Sequence, residues 1–164
     1  GGIGYRGEVL NDLYTFDLEN GWELYSPEFI EPIAFATVFK LNNVIYTCFG
    51  KSGTGYNDVV RKFNAESNKW ESVCQIKDSL LLRTYGKAFV LNQEGEEYAY
   101  IVGGKPMPEI EAGKFWGGLR FNPRTNVVEK INIPDVKNIE AAFDIKNVGY
   151  IFDGEYRWKF LPCE

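Results

Sequence analysis

The sequence predicts an all-β protein built from four-stranded antiparallel units that recur about every fifty residues. The segment Asn11–Trp22 returns as Asn57–Trp70 and, more loosely, as Gly118–Val128, which places equivalent phenylalanines at intervals of 47 and 58 residues. A second recurring segment, four residues long, begins with a phenylalanine and returns at intervals of 50 and 54 residues. The two sets are Phe16, Phe63 and Phe121, and Phe39, Phe89 and Phe143. No stretch of the chain shows convincing helical periodicity.

Each unit is predicted to contain four short strands, because runs of aromatic and β-branched residues alternate with polar, Asn- and Gly-containing turns. The strand Val44–Phe49 is almost continuously apolar, as expected of a strand buried on both faces. A tight turn at Leu41–Asn43 precedes it, and Leu80–Leu82 is interpreted as a loop in preference to a single helical turn. From residue 34 onward the predicted strands are Ala34–Phe39, Val44–Phe49, Asp58–Phe63, Trp70–Val73, Tyr85–Leu91, Tyr98–Val102, Phe115–Phe121, Val127–Ile133, Glu140–Ile145, Val148–Phe152 and Tyr156–Leu161.

Repetition at this period is typical of a β-propeller, in which each repeat forms one blade. The chain holds about three blades' worth of strands in one partial domain, fewer than the roughly four to eight blades that propellers use. Residues 1–27 are predicted to give the outer strands of a first blade, 33–74 a second blade, 84–134 a third, and 138–164 the inner strands of a fourth. The chain is therefore either a fragment of a longer propeller or one of two copies that join head to tail into a six-blade ring.

Several residues at equivalent positions identify a family resemblance. An apolar strand ends in Gly103–Gly104, the pairs Asn11–Asp12 and Asn57–Asp58 precede third strands, and Trp22 and Trp70 follow them. In this combination the chain resembles Kelch repeats, and is most similar to the galactose-oxidase-like Kelch propellers of bacterial cell-surface proteins. The Asn-Asp pairs are interpreted as making turn hydrogen bonds, and the two tryptophans as packing between blades.

The third unit departs from the Kelch pattern, with Gly117–Gly118 in place of the Asn-Asp pair and Val128 in place of the tryptophan. The C-terminal unit also resembles a blade of the hemopexin-like domains, through Glu140–Phe143 and the following Gly149–Phe160. The first two units carry Kelch-type loops, so the Kelch interpretation is favoured over the hemopexin one.

The Kelch resemblance implies a non-enzymatic binding or scaffold module that presents a loop-rich face to a protein or glycan ligand. It also implies a secreted, periplasmic or bacterial cell-surface location. Galactose-oxidase-type copper chemistry needs histidine ligands, and the sequence contains no histidine. We therefore expect no metal and no cofactor. The alternative is a carboxylate-based sugar-active enzyme on the same fold, using the acidic clusters at Glu94–Glu97 and Glu109–Glu111.

Composition excludes several other classes of function. The absence of histidine removes Ser-His-Asp and Cys-His catalysis and nearly every zinc site. The net charge is −5, without a basic stripe, which argues against nucleic acid as a partner. The apolar runs are too short for a membrane span. Of three cysteines, Cys48 is interpreted as a small buried apolar residue, and a Cys74–Cys163 disulfide is left open.

The long connections of each unit are predicted to lie on one face, because alternate turns of an antiparallel sheet are at the same end. These connections span residues 51–56, 74–84 and 105–114. Aromatic rings together with arginine on such a face suit a sugar or a peptide carboxylate, and the alternative is that these side chains fill the packing between blades. The candidate ligand-binding residues are Tyr5, Arg6, Tyr56, Arg83, Tyr85, Phe115 and Trp116, and no catalytic residue is proposed.

Overall fold

The computed structural model describes residues 1–25, 31–106, 117–133 and 139–161, and in these the chain forms short β-strands and one 3-10 turn. Every strand pairing is antiparallel, which confirms the all-β prediction. The strands are β1 (Gly2–Ile3), β2 (Val9–Leu10), β3 (Leu13–Asp17), β4 (Gly21–Tyr25), β5 (Thr37–Leu41), β6 (Val44–Cys48), β7 (Lys51–Ser52), β8 (Gly55–Tyr56), β9 (Val59–Asn64), β10 (Lys69–Gln75), β11 (Arg83–Thr84), β12 (Lys87–Gln93), β13 (Glu96–Val102), β14 (Lys105–Pro106), β15 (Gly118–Asn122), β16 (Val127–Ile131), β17 (Ala141–Ile145), β18 (Val148–Phe152) and β19 (Arg157–Phe160).

The longer strands make four sheets, numbered here in chain order. Sheet 1 pairs β3 with β4, sheet 2 has the order β5-β6-β9-β10, sheet 3 has β12-β13-β15-β16, and sheet 4 has β17-β18-β19. Strands therefore follow one another across each sheet in sequence order. The remaining strands form three two-stranded ladders, β1–β2, β7–β8 and β11–β14. Among the described residues these sheets are separate, and no closed barrel or ring of sheets is identified.

The turn between the first and second strands has the same conformation in sheets 2, 3 and 4. Its two central residues both have positive φ, as in a type I′ hairpin turn. These pairs are Asn42–Asn43 (φ 47° and 64°), Glu94–Gly95 (54° and 85°) and Lys146–Asn147 (50° and 62°). The turn predicted at Leu41–Asn43 is confirmed, with Asn42 and Asn43 as its central residues, and it recurs at a constant spacing along the chain.

The turn between the third and fourth strands also recurs, in sheets 1, 2 and 3. A side-chain Oδ1 at its first position accepts hydrogen bonds from the backbone N–H groups two and three residues later, at 2.7 to 3.3 Å. The residue four positions later has positive φ. The first positions are Asp17, Asn64 and Asn122, and the positive-φ positions are Gly21, Asn68 and Asn126.

The sheets pack face to face, and the core lies between them. Phe39 and Leu41 of β5 belong to one buried cluster with Ile101, Leu119 and Phe121 of sheet 3. Phe89 and Leu91 of β12 form a second buried cluster with Ile151 of sheet 4. A buried glycine, Gly149, sets the close approach of sheet 4, since a Cβ there would lie 2.4 Å from the Phe89 ring.

The interpretation of Leu80–Leu82 as a loop is wrong for its first two residues, because Ser79–Leu81 forms a 3-10 turn. Asp78 caps this turn by accepting a hydrogen bond from the backbone N–H of Leu80 at 3.0 Å. Leu81 and Leu82 are buried, so the turn inserts two apolar side chains into the core below β11.

Candidate binding face

Backbone hydrogen bonds join the β1–β2 ladder to the segment before sheet 2, and join sheet 2 to the segment before sheet 3. The region that contains the three short ladders and the segments that enter β5 and β12 is called the loop face below. Gly2 N–H donates to the Ile33 carbonyl at 3.1 Å, and Gly50 N–H donates to the Arg83 carbonyl at 2.9 Å. The two bonds are equivalent, since their donors and acceptors are 48 and 50 residues apart along the chain. Among the described residues, the same backbone contact therefore recurs at the entry to sheets 2 and 3.

An aromatic stack lies on the loop face between sheets 2 and 3. The rings of Phe35 and Tyr85 stack with centroids 4.3 Å apart and planes at 29°, and the Tyr85 N–H donates to the Phe35 carbonyl at 3.0 Å. Both residues have left-handed backbone, with φ of 59° and 62°. This conformation costs a non-glycine residue of order 1–3 kcal/mol, and strain of this kind clusters at functional sites. Tyr85 remains 45% exposed, so the stack offers an aromatic surface to solvent.

A cation lies over the exposed partner of this stack. The ammonium of Lys105, at the start of β14, is 5.5 Å from the centre of the Tyr85 ring. Lys105 is exposed and pairs through its backbone with Thr84, which immediately precedes Tyr85. The β11–β14 ladder therefore fixes the lysine beside the stack, and the two together combine a flat apolar surface with a positive charge.

Arg83 lies beneath this surface, with 1% of its area exposed. Its Nε donates to the Leu81 carbonyl at 3.1 Å, and its Nη1 donates to the carbonyls of Gly103 and Gly117 at 2.9 and 3.1 Å. Its guanidinium carbon also lies 5.9 Å from the Phe49 ring centre. Arg83 therefore ties three backbone segments together under the loop face, and no part of its guanidinium reaches the solvent.

The glycine motif at the end of the second strands creates the close contacts of the loop face. Gly50 and Gly104 both have φ of 87°, and a Cβ on either would lie 2.6 to 2.7 Å from a backbone carbonyl oxygen of the segment that enters the first strand of the same sheet. Nearby, the buried Asn57 donates from Nδ2 to the Phe49 carbonyl at 2.9 Å and accepts from Arg61 Nη1 at 2.6 Å. Asn57 therefore holds the loop to the third strand.

Three other predicted ligand-binding residues are spread over the loop face, namely Tyr5, Arg6 and Tyr56. Tyr5 and Arg6 are exposed in the β1–β2 turn, where the Arg6 N–H donates to Glu8 Oε2 at 2.9 Å. Tyr56 is half-buried in β8 and packs against the core cluster of sheets 2 and 3. Phe115 and Trp116 lie outside the described residues. Arg83 is thus buried two residues before the exposed Tyr85. The β1–β2 ladder is attached elsewhere, at Ile33 in the segment before β5.

The sequence prediction missed two residues of this site, Phe35 in the stack and Lys105 beside it. A signal for Phe35 existed, because it precedes Tyr85 by 50 residues, the same interval that separates Phe39 from Phe89. Lys105 had no comparable signal. Its position over the ring depends on the pairing of β11 with β14, which joins residues about twenty positions apart.

The acidic cluster at Glu94–Glu97 is engaged in structural contacts. Glu96 makes an ion pair with Arg124, and Glu97 Oε2 accepts the Asn42 backbone N–H at 2.6 Å, which links sheet 3 to the hairpin turn of sheet 2. The second cluster, Glu109–Glu111, lies outside the described residues. Among the residues that the structure describes, no group of three or more Cys, Asp or Glu side chains could hold a metal ion.

The two described cysteines, Cys48 and Cys74, are both free thiols. Cys48 is 1% exposed, and burial raises the pKa of its thiol far above the usual range. Burial also raises the pKa of the half-buried Cys74. Cys163 lies outside the described residues, and Cys74, the partner considered for it in a disulfide, is a free thiol. Both described thiols are therefore weak nucleophiles at neutral pH.

An apolar cleft of about 650 Å³ separates sheet 1 from sheet 2. Leu13, Thr15 and Tyr25 line one wall, and Val38 and Ile45 line the other, where they are 58% and 44% exposed. Sheet 1 has two strands whereas sheet 2 has four.

The two tryptophans of the repeat have different environments. Trp70 is 8% exposed at the cleft, whereas Trp22 is 74% exposed. The expectation that both pack between sheets is therefore wrong for Trp22, because no described sheet covers its face of sheet 1.

Comparison of the chain with protein-family models and with curated proteins gives no match. In the described part of the chain, no helix has the length and apolar character needed to cross a bilayer.

Proposed function

We propose that this chain is a Kelch-type binding or scaffold module, one part of a β-propeller, that presents its loop face to a protein or glycan ligand. Three features support the repeat assignment: the equivalent hairpin turns, the equivalent glycine positions and the succession of face-packed sheets. All ten non-glycine residues with positive φ in the described chain fall at five recurring positions of the unit. Such regularity is expected when each sheet is one copy of a repeated structural element.

The observation that carries the binding proposal is the exposed Phe35–Tyr85 stack with Lys105 beside it. The Tyr85 ring provides a flat apolar face with a hydroxyl at its edge, which suits the C–H face and hydroxyl groups of a sugar or the side chain of a peptide. Lys105 adds a positive charge for a carboxylate. The buried Arg83 holds the loops beneath, so the site is rigid and little ordering is needed on binding.

Glycan-array and peptide-array screens of the intact chain, followed by calorimetry on the best ligand, would test this proposal. Tyr85→Ala should weaken binding at least about ten-fold, because aromatic anchors supply most of the energy of small interfaces. Leu18→Ala is the control, since Leu18 is 95% exposed in the β3–β4 turn, outside the loop face. Equal affinity of the Tyr85→Ala variant and the wild type would overturn the assignment of the site.

A further inference from the structure

One aromatic arrangement recurs in sheets 2, 3 and 4. The first and second strands of each carry a directly opposed Phe and Tyr, whose rings stack with centroids 5.5 to 5.7 Å apart. Opposed residues of an antiparallel ladder share one face, so each pair points toward the next sheet. The pairs are Phe39–Tyr46, Phe89–Tyr100 and Phe143–Tyr150.

Two of these pairs are covered by a phenylalanine from the third strand of the following sheet. Phe121 of sheet 3 lies 5.9 and 5.6 Å from the two rings of sheet 2. Phe160 of sheet 4 lies 5.7 and 4.9 Å from the two rings of sheet 3. The contact between consecutive sheets is therefore a three-ring cluster that the chain makes twice.

The third pair is open to solvent, because sheet 4 is the last described sheet. Phe143 is 40% exposed and Ile145, on the same face of β17, is 52% exposed. Phe152 of β18 extends the apolar face, with its ring 5.5 Å from that of Phe143. This face, the outer face of sheet 4, has the pair but not the third ring.

Sheet 1 presents the opposite half of the cluster. Phe16 occupies the place on its third strand that Phe121 occupies in sheet 3, and it is 56% exposed. Register pairs Phe16 with Trp22 and Tyr14 with Leu24, so all four share one face. These neighbours are 51% to 74% exposed. This face, the outer face of sheet 1, has the third ring but no pair to cover.

We propose that the outer face of sheet 1 docks on the outer face of sheet 4 of a second copy of this chain, with Phe16 covering the Phe143–Tyr150 pair. A second copy of the chain is the expected partner, because this contact would repeat the one that the chain already makes between its own sheets 2 and 3 and between its own sheets 3 and 4. Docking buries eight large apolar side chains, which exceeds the scattered exposure normal for a monomer surface. They are Tyr14, Phe16, Trp22, Leu24, Phe143, Ile145, Tyr150 and Phe152.

The structure favours this face-to-face contact over a sheet shared between two copies. In a shared sheet, β3 of one copy would pair with β18 of the other, beside the apolar cleft. That edge of β18 already pairs with β19, in register from Gly149–Phe160 to Phe152–Arg157. A shared sheet would therefore contain one strand too many, whereas stacked faces leave every strand pairing intact.

The contact is heterologous, since it joins different surfaces of the two copies. Such contacts close into a ring when the rotation allows it and otherwise extend into chains. One copy has a mass of 18.7 kDa, so a closed pair would have twice that mass, 37.4 kDa. Light scattering on a sizing column should therefore give 37.4 kDa or a concentration-dependent series of larger multiples.

Two variants and their mixture test the contact. Phe16→Lys and Phe143→Lys should each be monomeric, with the dissociation constant raised at least about ten-fold, because each places a charge in an apolar contact. Both sites are exposed, so the urea unfolding midpoint of each isolated chain should stay close to that of the wild type. An equimolar mixture should recover 37.4 kDa, because one copy keeps an intact outer face of sheet 4 and the other an intact outer face of sheet 1.

Val38→Lys is the matched control, since Val38 is 58% exposed but faces the apolar cleft. It should associate like the wild type. Loss of association in Val38→Lys alone would move the contact to the cleft and overturn the proposal. A wild-type mass of 18.7 kDa up to about 1 mM, or a mixture that stays monomeric, would also overturn it.

Discussion

Strands β5 and β17 have similar sequences and opposite environments. In β5, Phe39 and Leu41 are 6% and 1% exposed because sheet 3 covers them. In β17, the equivalent Phe143 and Ile145 are 40% and 52% exposed. The strands, their hairpin turns and their opposed Phe–Tyr pairs are nevertheless the same. The comparison shows that the repeat specifies the sheet and the side of it that is apolar, whereas burial depends on the presence of the next sheet.

The largest expected difference is between Phe121→Ala and Phe16→Ala, which remove equivalent rings. Phe121 is fully buried, so its loss should lower the free energy of unfolding by about 3–5 kcal/mol. Phe16 is 56% exposed in the single chain, and its loss should cost less than about 1 kcal/mol in dilute solution. Urea unfolding of both variants checks this. Similar losses would mean that the outer face of sheet 1 is already covered in dilute solution.

Arg83→Met should have the next largest effect. It leaves the carbonyls of Leu81, Gly103 and Gly117 without their guanidinium donor in a buried place, and the free energy of unfolding should fall by about 3 kcal/mol. Arg120→Met is the control, because Arg120 is half-buried and pairs with Glu129 at 2.6 Å near the surface. Its loss should cost at most about 1 kcal/mol. An equal cost for the two variants would contradict the structural role of Arg83.

Much of the fold could be predicted from the sequence, because the signals are local. The φ > 0 positions of the hairpin turns carry Asn or Gly at most places, as at Asn42–Asn43, and alternation within strands is visible at Phe39 and Leu41. The 3-10 turn at Ser79–Leu81 was missed because a run of three leucines gives the same signal in a loop and in a single turn.

The candidate site was harder to predict because it depends on contacts between distant segments. Arg83 was proposed as a ligand-binding residue, but sequence alone cannot distinguish an accessible guanidinium from one that is surrounded by backbone carbonyls, as Arg83 is. The left-handed conformation of Phe35 and Tyr85 also has no local signal, since aromatic residues rarely adopt it. It is imposed by the hydrogen bond between the two residues and by the loops below.

Gly149→Ala tests how closely sheet 4 must approach sheet 3. A methyl group at this buried position would meet the Phe89 ring at 2.4 Å, so the variant should lose about 1–3 kcal/mol of stability. Gly53→Ala is the control, because a Cβ on Gly53 meets nothing within 4 Å. That change should have an effect within about 0.5 kcal/mol. If thermal unfolding shows the same midpoint for both variants, the spacing of sheets 3 and 4 is adjustable.

The smallest expected difference concerns pH and the equivalent turns that begin at Asp17 and Asn122. Hydrogen bonds from the backbone N–H and side-chain amide of Asn20 and from the Glu19 N–H lower the pKa of Asp17. A lowered folded-state pKa stabilises the fold above the ordinary aspartate value, about 3.9, and this stabilisation is lost as the pH falls from there toward the folded value. Asn122 has no titratable group, so the first residue of its turn adds no such pH dependence.

Asp17→Asn should therefore reduce the loss of stability between about pH 6 and pH 3, measured by urea unfolding at each pH. Asn122→Asp should increase that loss, because it places a carboxylate before the same two N–H donors, those of Arg124 and Thr125. The two changes act with opposite sign at matched turns. An Asn122→Asp variant with an unchanged pH profile would show that the turn's side-chain hydrogen bonds do not depend on the charge of the acceptor.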